Sequence, residues 1–252
     1  MDAIVTEVTE GVAIVTLNRP EVRNAINLQM IEQLGEVLDV FHDDPAVKVV
    51  IFTGAGDTFI SGGDLEQFGA ARNRTSVLPL LQKAADLLEK IDRYPKPTIA
   101  MINGTAVGGG CEFAISCHFR FASETAKVGF VQIGLHITTG WGGGSRLLDK
   151  LGESQALSML LTGERFSARE AERLGFIDAV SSPDRLRDDV LSFASKIAAQ
   201  PLTGIEAYLR LLAWKRSGAR QSQRIQREIE QCAGLWGSEQ HTAAVNRFLH
   251  KS

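Results

Sequence analysis

Apolar and polar positions alternate through AIVTEV (residues 3–8) and again through GVAIVTL (residues 11–17), with a turn at Gly11 between them. That period of two predicts an N-terminal β-hairpin. The spacing then changes. After the turn residues of RPEVRNAIN, the positions Leu28, Ile31, Leu34, Val37, Leu38 and Phe41 recur at helical intervals and predict an amphipathic helix. VKVVIFTG, ending at Gly54, is a continuous β-branched run and predicts a buried strand. AGDTFISGGDL reads as a glycine-rich loop, VLPLLQKAADLLEKIDR as an amphipathic helix, and YPKPTIAMI as a strand that follows two prolines. FRFAS is a short strand and AKVGF is hairpin-like.

Downstream, GWGGGSRLLDKLG is another glycine loop that feeds a helix. ESQALSMLLTG ends on Gly163 as a C-cap. SAREAERLG carries a capping box, Ser167 with Glu170, and closes at Gly175. Ser182 and Pro183 are expected to start the next helix, at N-cap and N1. Two or three helices are expected after Pro201. Strand–helix alternation therefore gives way to helices near residue 185, which predicts an α/β part over 1–185 and a helical part over 186–252.

Composition adds mainly exclusions. The chain has 252 residues, 44% hydrophobic and 23% charged, with a formal net charge of -3. That is ordinary globular usage, and no basic run suggests a nucleic-acid partner. Cys111, Cys117 and Cys232 form no CxxC pair, which argues against a disulfide framework or a zinc site and suits a reducing, cytoplasmic setting. Cys117 and His118 are adjacent, and adjacent side chains point apart, so they make a poor ligand pair. MDAIVTEVTE is acidic and alternating, unlike a signal peptide. The apolar run from Ile99 to Cys117 is broken by Asn103, several glycines and Glu112, so a membrane span is not expected.

The chemistry concentrates in NGTAVGGGCEFAIS, residues 103–116. Glycine inside a helix costs about 0.5–1 kcal/mol against alanine, and a carboxylate in an apolar segment costs more unless it is partnered. A strand that ends in glycines and opens a helix leaves N–H groups pointing outward at the positive end of the helix dipole. Such a place can bind phosphate, can stabilise an oxyanion, or can simply let helix and strand pack closely. GTAVGGGCE lacks the Lys and Ser/Thr of a P-loop. FISGGDL, residues 59–65, has the same strand–glycine–helix form. Two such loops can present two N–H donors to one oxygen, each donor worth about 3 kcal/mol in a transition state.

FISGGDL and KPTIAMINGTAVGGGCEFAIS resemble the two oxyanion loops of the crotonase superfamily, the enoyl-CoA hydratases and isomerases. VGFVQIGLHITTGWGGGSRLLDKLG and LLTGERFSAREAERLGFIDAV resemble the two stretches that follow in that family. The resemblance runs in register from Ile4 to Val180. It implies a spiral of ββα repeats and a helical C-terminal region that assembles trimers or hexamers. It also implies an acyl-CoA substrate, with coenzyme A part of that substrate, no separate cofactor and no metal. It places the oxyanion donors at the N–H groups of Gly63 and Gly109, and a catalytic carboxylate at Glu112. It places coenzyme A contacts at Arg23, Ala25, Gly62, Asp64, Leu65, Phe248 and Lys251.

The chain departs from the pattern at Gln132, which stands where the hydratases keep a second glutamate. Glutamine can orient water or substrate but cannot shuttle a proton at neutral pH. Glu112 alone would then serve as base and acid. A neutral residue there also suits decarboxylation of a malonyl-type thioester, and GWGGGSRL with Trp141 and LWG at 235–237 are similar to ethylmalonyl-CoA decarboxylase. A non-catalytic, RNA-associated homologue is the reading from another class. Beside these, Asp64 reads as a helix N-cap, His136 as a turn or pocket residue, and Trp141 either as a wall of the acyl pocket or as cover for the glycine loop. Ser145 lacks the G-x-S-x-G elbow of a nucleophile.

Overall fold

The computed structural model describes residues 2–250. The predicted hairpin is present: β1 (Ile4–Thr9) pairs antiparallel with β2 (Val12–Leu17). Glu10 and Gly11 between them both have positive φ, at 50° and 84°, which fits the two-residue turn favoured by twisted strands. α1 (Leu28–Asp43) follows, capped by the Asn27 side chain and burying Met30, Ile31, Leu34, Leu38 and Phe41.

From there the chain repeats one plan. Each turn lays one strand in a first sheet and one in a second sheet, then adds a helix. β3 (Val49–Gly54) and β4 (Thr58–Ile60) lead to α2 (Leu65–Ala70) and α3 (Arg74–Asp92). β5 (Thr98–Ile102) and β6 (Thr105–Val107) lead to α4 (Gly109–Ser116). β7 (Phe119–Ser123) and β8 (Lys127–Gly129) lead through a single turn of 3₁₀ helix at Val131–Leu135 to α5 (Gly143–Lys150). α6 (Glu153–Thr162), β9 (Phe166–Ser167), α7 (Ala168–Arg173), β10 (Ala179–Ser181) and α8 (Leu186–Ala198) complete this unit. The first sheet has the order β1-β2-β3-β5-β7-β10 and is parallel from β2 onward; the second has the order β4-β6-β8-β9. This is the expected α/β spiral.

The central strands β3 and β5 are buried on both faces, which is why they read as near-continuous apolar runs. Alternate residues feed two separate cores. Val15, Leu17, Val50, Phe52, Ala100 and Ile102 join α1, α3 and α4 on one side. Val12, Ile14, Val49, Ile51, Ile99 and Met101 meet Leu186, Val190, Ala194 and Ala198 of α8 on the other. The compact first unit consequently runs to Leu202, past the division expected at residue 185. The second unit, Thr203–Ser252, takes most of α9 (Leu202–Arg216) with α10 (Gln221–Leu235) and α11 (Glu239–Leu249).

Three local expectations need correction. AKVGF is no hairpin with FRFAS, because β7 and β8 belong to different sheets. The loop FISGGDL begins with a strand, β4, only three residues long and too short for an alternation to register. Ser182 and Pro183 form a turn rather than a helix start; the Ser182 carbonyl accepts from both Arg185 and Leu186, and α8 begins at Leu186. The caps at Gly163 and at Ser167–Glu170 form as expected. No helix among the described residues is long and apolar enough to cross a membrane.

Candidate active site

Both glycine loops leave the second sheet side by side, because β4 and β6 are parallel neighbours in it. In the first loop, Gly62 O accepts from Ile26 N and Asp64 N donates to Ile26 O. Groups on either side of Gly63 thus turn towards Ile26, and the intervening Gly63 N–H turns the opposite way. The second loop lies beside the first: a Cβ built on Gly62 would stand 3.6 Å from Val107 O and 3.8 Å from Gly109 N. Gly109 is the first residue of α4, so its N–H lies outside the intrahelical ladder. Gly108 before it takes φ +55°, a conformation that favours glycine. The two glycine loops therefore lie against each other, each with a backbone N–H outside the regular ladders.

Glycine at these two positions has a further cause. A Cβ on Gly109 would fall 2.3–2.9 Å from three ring carbons of Trp141, and one on Gly63 would fall 3.2 Å from the same indole. The space a larger residue would need is filled by tryptophan. Trp141 is buried, and its ring packs at a tilt against Phe68 with centroids 5.8 Å apart.

Glu112, on the first turn of α4, is 2% exposed. Four groups donate to its carboxylate. Gln132 Nε2 reaches Oε1 at 3.0 Å and Gly140 N reaches it at 3.3 Å; Trp141 N and Gly143 N reach Oε2 at 2.8 and 2.9 Å. The third glycine loop, at the N-terminus of α5, thus binds an anion that belongs to the chain itself. Burial pushes the Glu112 carboxyl above the ordinary glutamate range, while the donors from Gly143, Trp141, Gly140 and Gln132 pull the other way. Gln132 is itself buried, and its Oε1 has no hydrogen-bond partner among the described residues. A carboxylate only accepts, so the amide must turn its NH₂ to Glu112 and leave the oxygen free.

The other expected residues divide. Arg23 is exposed and Ala25 half-buried, on the segment that runs against the first glycine loop; Ser61 N donates to Arg23 O. Gly62 is buried with φ +120°, and Leu65 opens α2. Asp64 is the expected N-cap, accepting from Glu66 N, and it also pairs with Arg19 at 2.9 Å. Phe248 is exposed on α11, in the second unit, and Lys251 lies outside the described residues. His136 is exposed in a left-handed conformation that ends the 3₁₀ turn, which is a turn role. His118 bonds Thr98, apart from the Cys117 thiol.

Sequence reasoning missed the cradle around Glu112. Its members lie 20 to 31 residues downstream, and only the glycines of GWGGGS signalled them. It also missed Arg146, which is buried, donates to the Trp141 carbonyl at 2.9 Å and pairs with Glu89 at 2.8 Å. Arg146 thereby holds the residue whose own N–H holds Glu112.

Two adjoining glycine loops, a buried carboxylate and two-sheet ββα turns are together the features of the crotonase class. Residues 7–251 match the enoyl-CoA hydratase/isomerase family, and the chain belongs to that family. It is 37% identical over 200 residues to a crotonyl-CoA hydratase of Syntrophomonas wolfei, covering 78% of this chain and 76% of that one. It is 30% identical over 253 residues to a probable enoyl-CoA hydratase of Bacillus subtilis, covering 100% and 97%. The crystal structure of an enoyl-CoA hydratase from Bacillus anthracis superposes with a TM-score of 0.94 at 29% identity, over 99% of this chain and 97% of that one.

Proposed function

We propose that the protein adds water across the α,β double bond of an enoyl-CoA thioester, using one ionisable carboxylate. The observation that carries this reading is the Glu112–Gln132 pair, one group able to take a proton and one able only to orient. The thioester oxygen sits between the N–H groups of Gly63 and Gly109. Glu112 takes a proton from water as the water oxygen bonds to Cβ and the electron pair moves onto the thioester oxygen. The enolate then reforms its carbonyl and receives that proton from Glu112 at Cα. Gln132 Oε1 accepts the second hydrogen of the water and fixes its approach. Arg23, Ala25, Gly62 and Leu65 line the coenzyme A, and Asp64 holds the first donor loop through its cap and its bond to Arg19. The same pair speaks against a malonyl-type decarboxylase. The donating end of Gln132 is committed to Glu112, so a substrate carboxylate would meet an acceptor oxygen.

Incubation with crotonyl-CoA should yield the 3-hydroxy thioester, detected by mass spectrometry as the gain of one water. Gly109→Pro, which removes the N–H, should abolish it. No hydrated product from the wild-type protein would refute the reading. Assembly into a homotrimer or hexamer is part of the same proposal. Tyr208 on α9, Trp236 just after α10 and Phe248 on α11 are 75%, 71% and 81% exposed and supply an apolar surface for it. A monomeric mass in light scattering would exclude it.

A further inference from the structure

Trp141 meets both donor glycines through its indole and Glu112 through its backbone. It fills the Cβ space of both donor glycines. Its backbone N–H is bonded to Glu112 and its carbonyl to Arg146, so the residue is fixed on both sides of its Cα. Phe68 backs the ring, and the residue is 5% exposed. A hydrogen-bonded oxygen lies about 2.9 Å from each donor nitrogen. The indole stands against both donor glycines, and so beside an acyl group whose carbonyl is held there. A flat, tethered, close-packed ring does not yield room for a long chain without loss of packing.

We infer that Trp141 is a specificity-determining residue that closes the acyl pocket and restricts the substrate to short acyl-CoA thioesters, four carbons in preference to eight. This inference rests on the oxyanion reading of Gly63 and Gly109, but not on which reaction follows. The pocket is the space beyond the two donors, and the indole is its floor.

Binding and turnover are measured separately. Calorimetry with butyryl-CoA and octanoyl-CoA gives the size limit, and hydration of crotonyl-CoA and 2-octenoyl-CoA gives the reaction. Wild-type protein should bind butyryl-CoA at least about tenfold more tightly than octanoyl-CoA, the discrimination one ill-fitting methylene group can already impose. Trp141→Ala should remove or invert that ratio. Should Trp141→Ala not fold by circular dichroism, Trp141→Phe carries the test, and the smaller ring should narrow the ratio. Equal binding of both thioesters by wild-type protein, or a ratio unchanged in a folded variant, overturns the inference. A size limit without hydration of crotonyl-CoA would overturn the proposed reaction and leave the limit standing. Failure to bind either thioester would overturn both.

Discussion

The two glycine loops proposed to hold the thioester oxygen share a form and differ in what holds them. The first ends in α2, six residues long, with Glu66, Gln67, Gly69 and Ala70 exposed. Polar ties hold it in place: the Asp64 cap, the Arg19–Asp64 bond, and Gln67 Oε1 accepting from Leu28 N. The second ends in α4, whose eight residues are all buried. Steric fit holds that one. Gly110 lets the helix meet β4 so closely that a Cβ there would stand 2.1 Å from Ile60 O. One glycine loop is thus fixed by hydrogen bonds near the surface and the other by backbone packing in the core. Polar ties near water tolerate adjustment, whereas close packing does not.

The largest effect should come from the buried half. Glu112→Gln should lower turnover of crotonyl-CoA by about 10²–10⁴-fold, the range of a general acid–base group, with acyl-CoA binding retained. The wild-type pH profile sharpens this. Glu112 must be ionised to act as base, and burial raises its pKa, so activity should fall as pH drops through a value above the ordinary glutamate range. An acid limb at or below about 4.3, the unperturbed glutamate pKa, would contradict the burial argument.

Next in size is Gly109→Ala. Its Cβ would collide with the Trp141 ring at 2.3 Å, displacing the ring, the donor or both. Loss of a well-placed donor should cost about 10²–10³-fold in kcat. The smallest change belongs to the surface half. Gly63→Ala meets Trp141 and Phe68 only at 3.2 and 3.3 Å, and Gly63 is half-buried, so its kcat/KM should fall about tenfold or less. Equal losses in the two alanine variants would erase the distinction between the loops.

Much of this was readable before any coordinates. Long periodic segments such as Leu28–Asp43 and the β-branched run at Val49–Gly54 became the expected helix and strand, because their burial pattern and their spacing are the same fact. The glycine loops stood out because glycine and a carboxylate break local rules there. What stayed hidden was non-local. β4 and β8 have three residues and β9 two, and their pairing is set by neighbours far along the chain. The α8 helix reads as part of a helical tail, yet its Leu186, Val190 and Ala194 close the far face of the sheet. The glycines of GWGGGS gave no hint that their acceptor would be Glu112, and a tryptophan's spacing does not say which glycines it covers.

The strand order has a consequence for how the molecule is made. In both sheets the strands lie in the order of synthesis, β1-β2-β3-β5-β7-β10 and β4-β6-β8-β9. Each new strand leaving the ribosome can dock on an edge that already exists, with no need to wedge between strands laid down earlier. The sheets can lengthen vectorially, turn by turn, as domains commonly fold from the N-terminus during translation. Glu112 is emplaced well before the chain reaches Gly143, the last of its four donors. Until the segment from Gln132 to Gly143 has emerged, its carboxylate lacks the full set of these donors, so it stays hydrated or protonated. Closure of the third glycine loop is the event that turns a growing spiral into a charged, dry site.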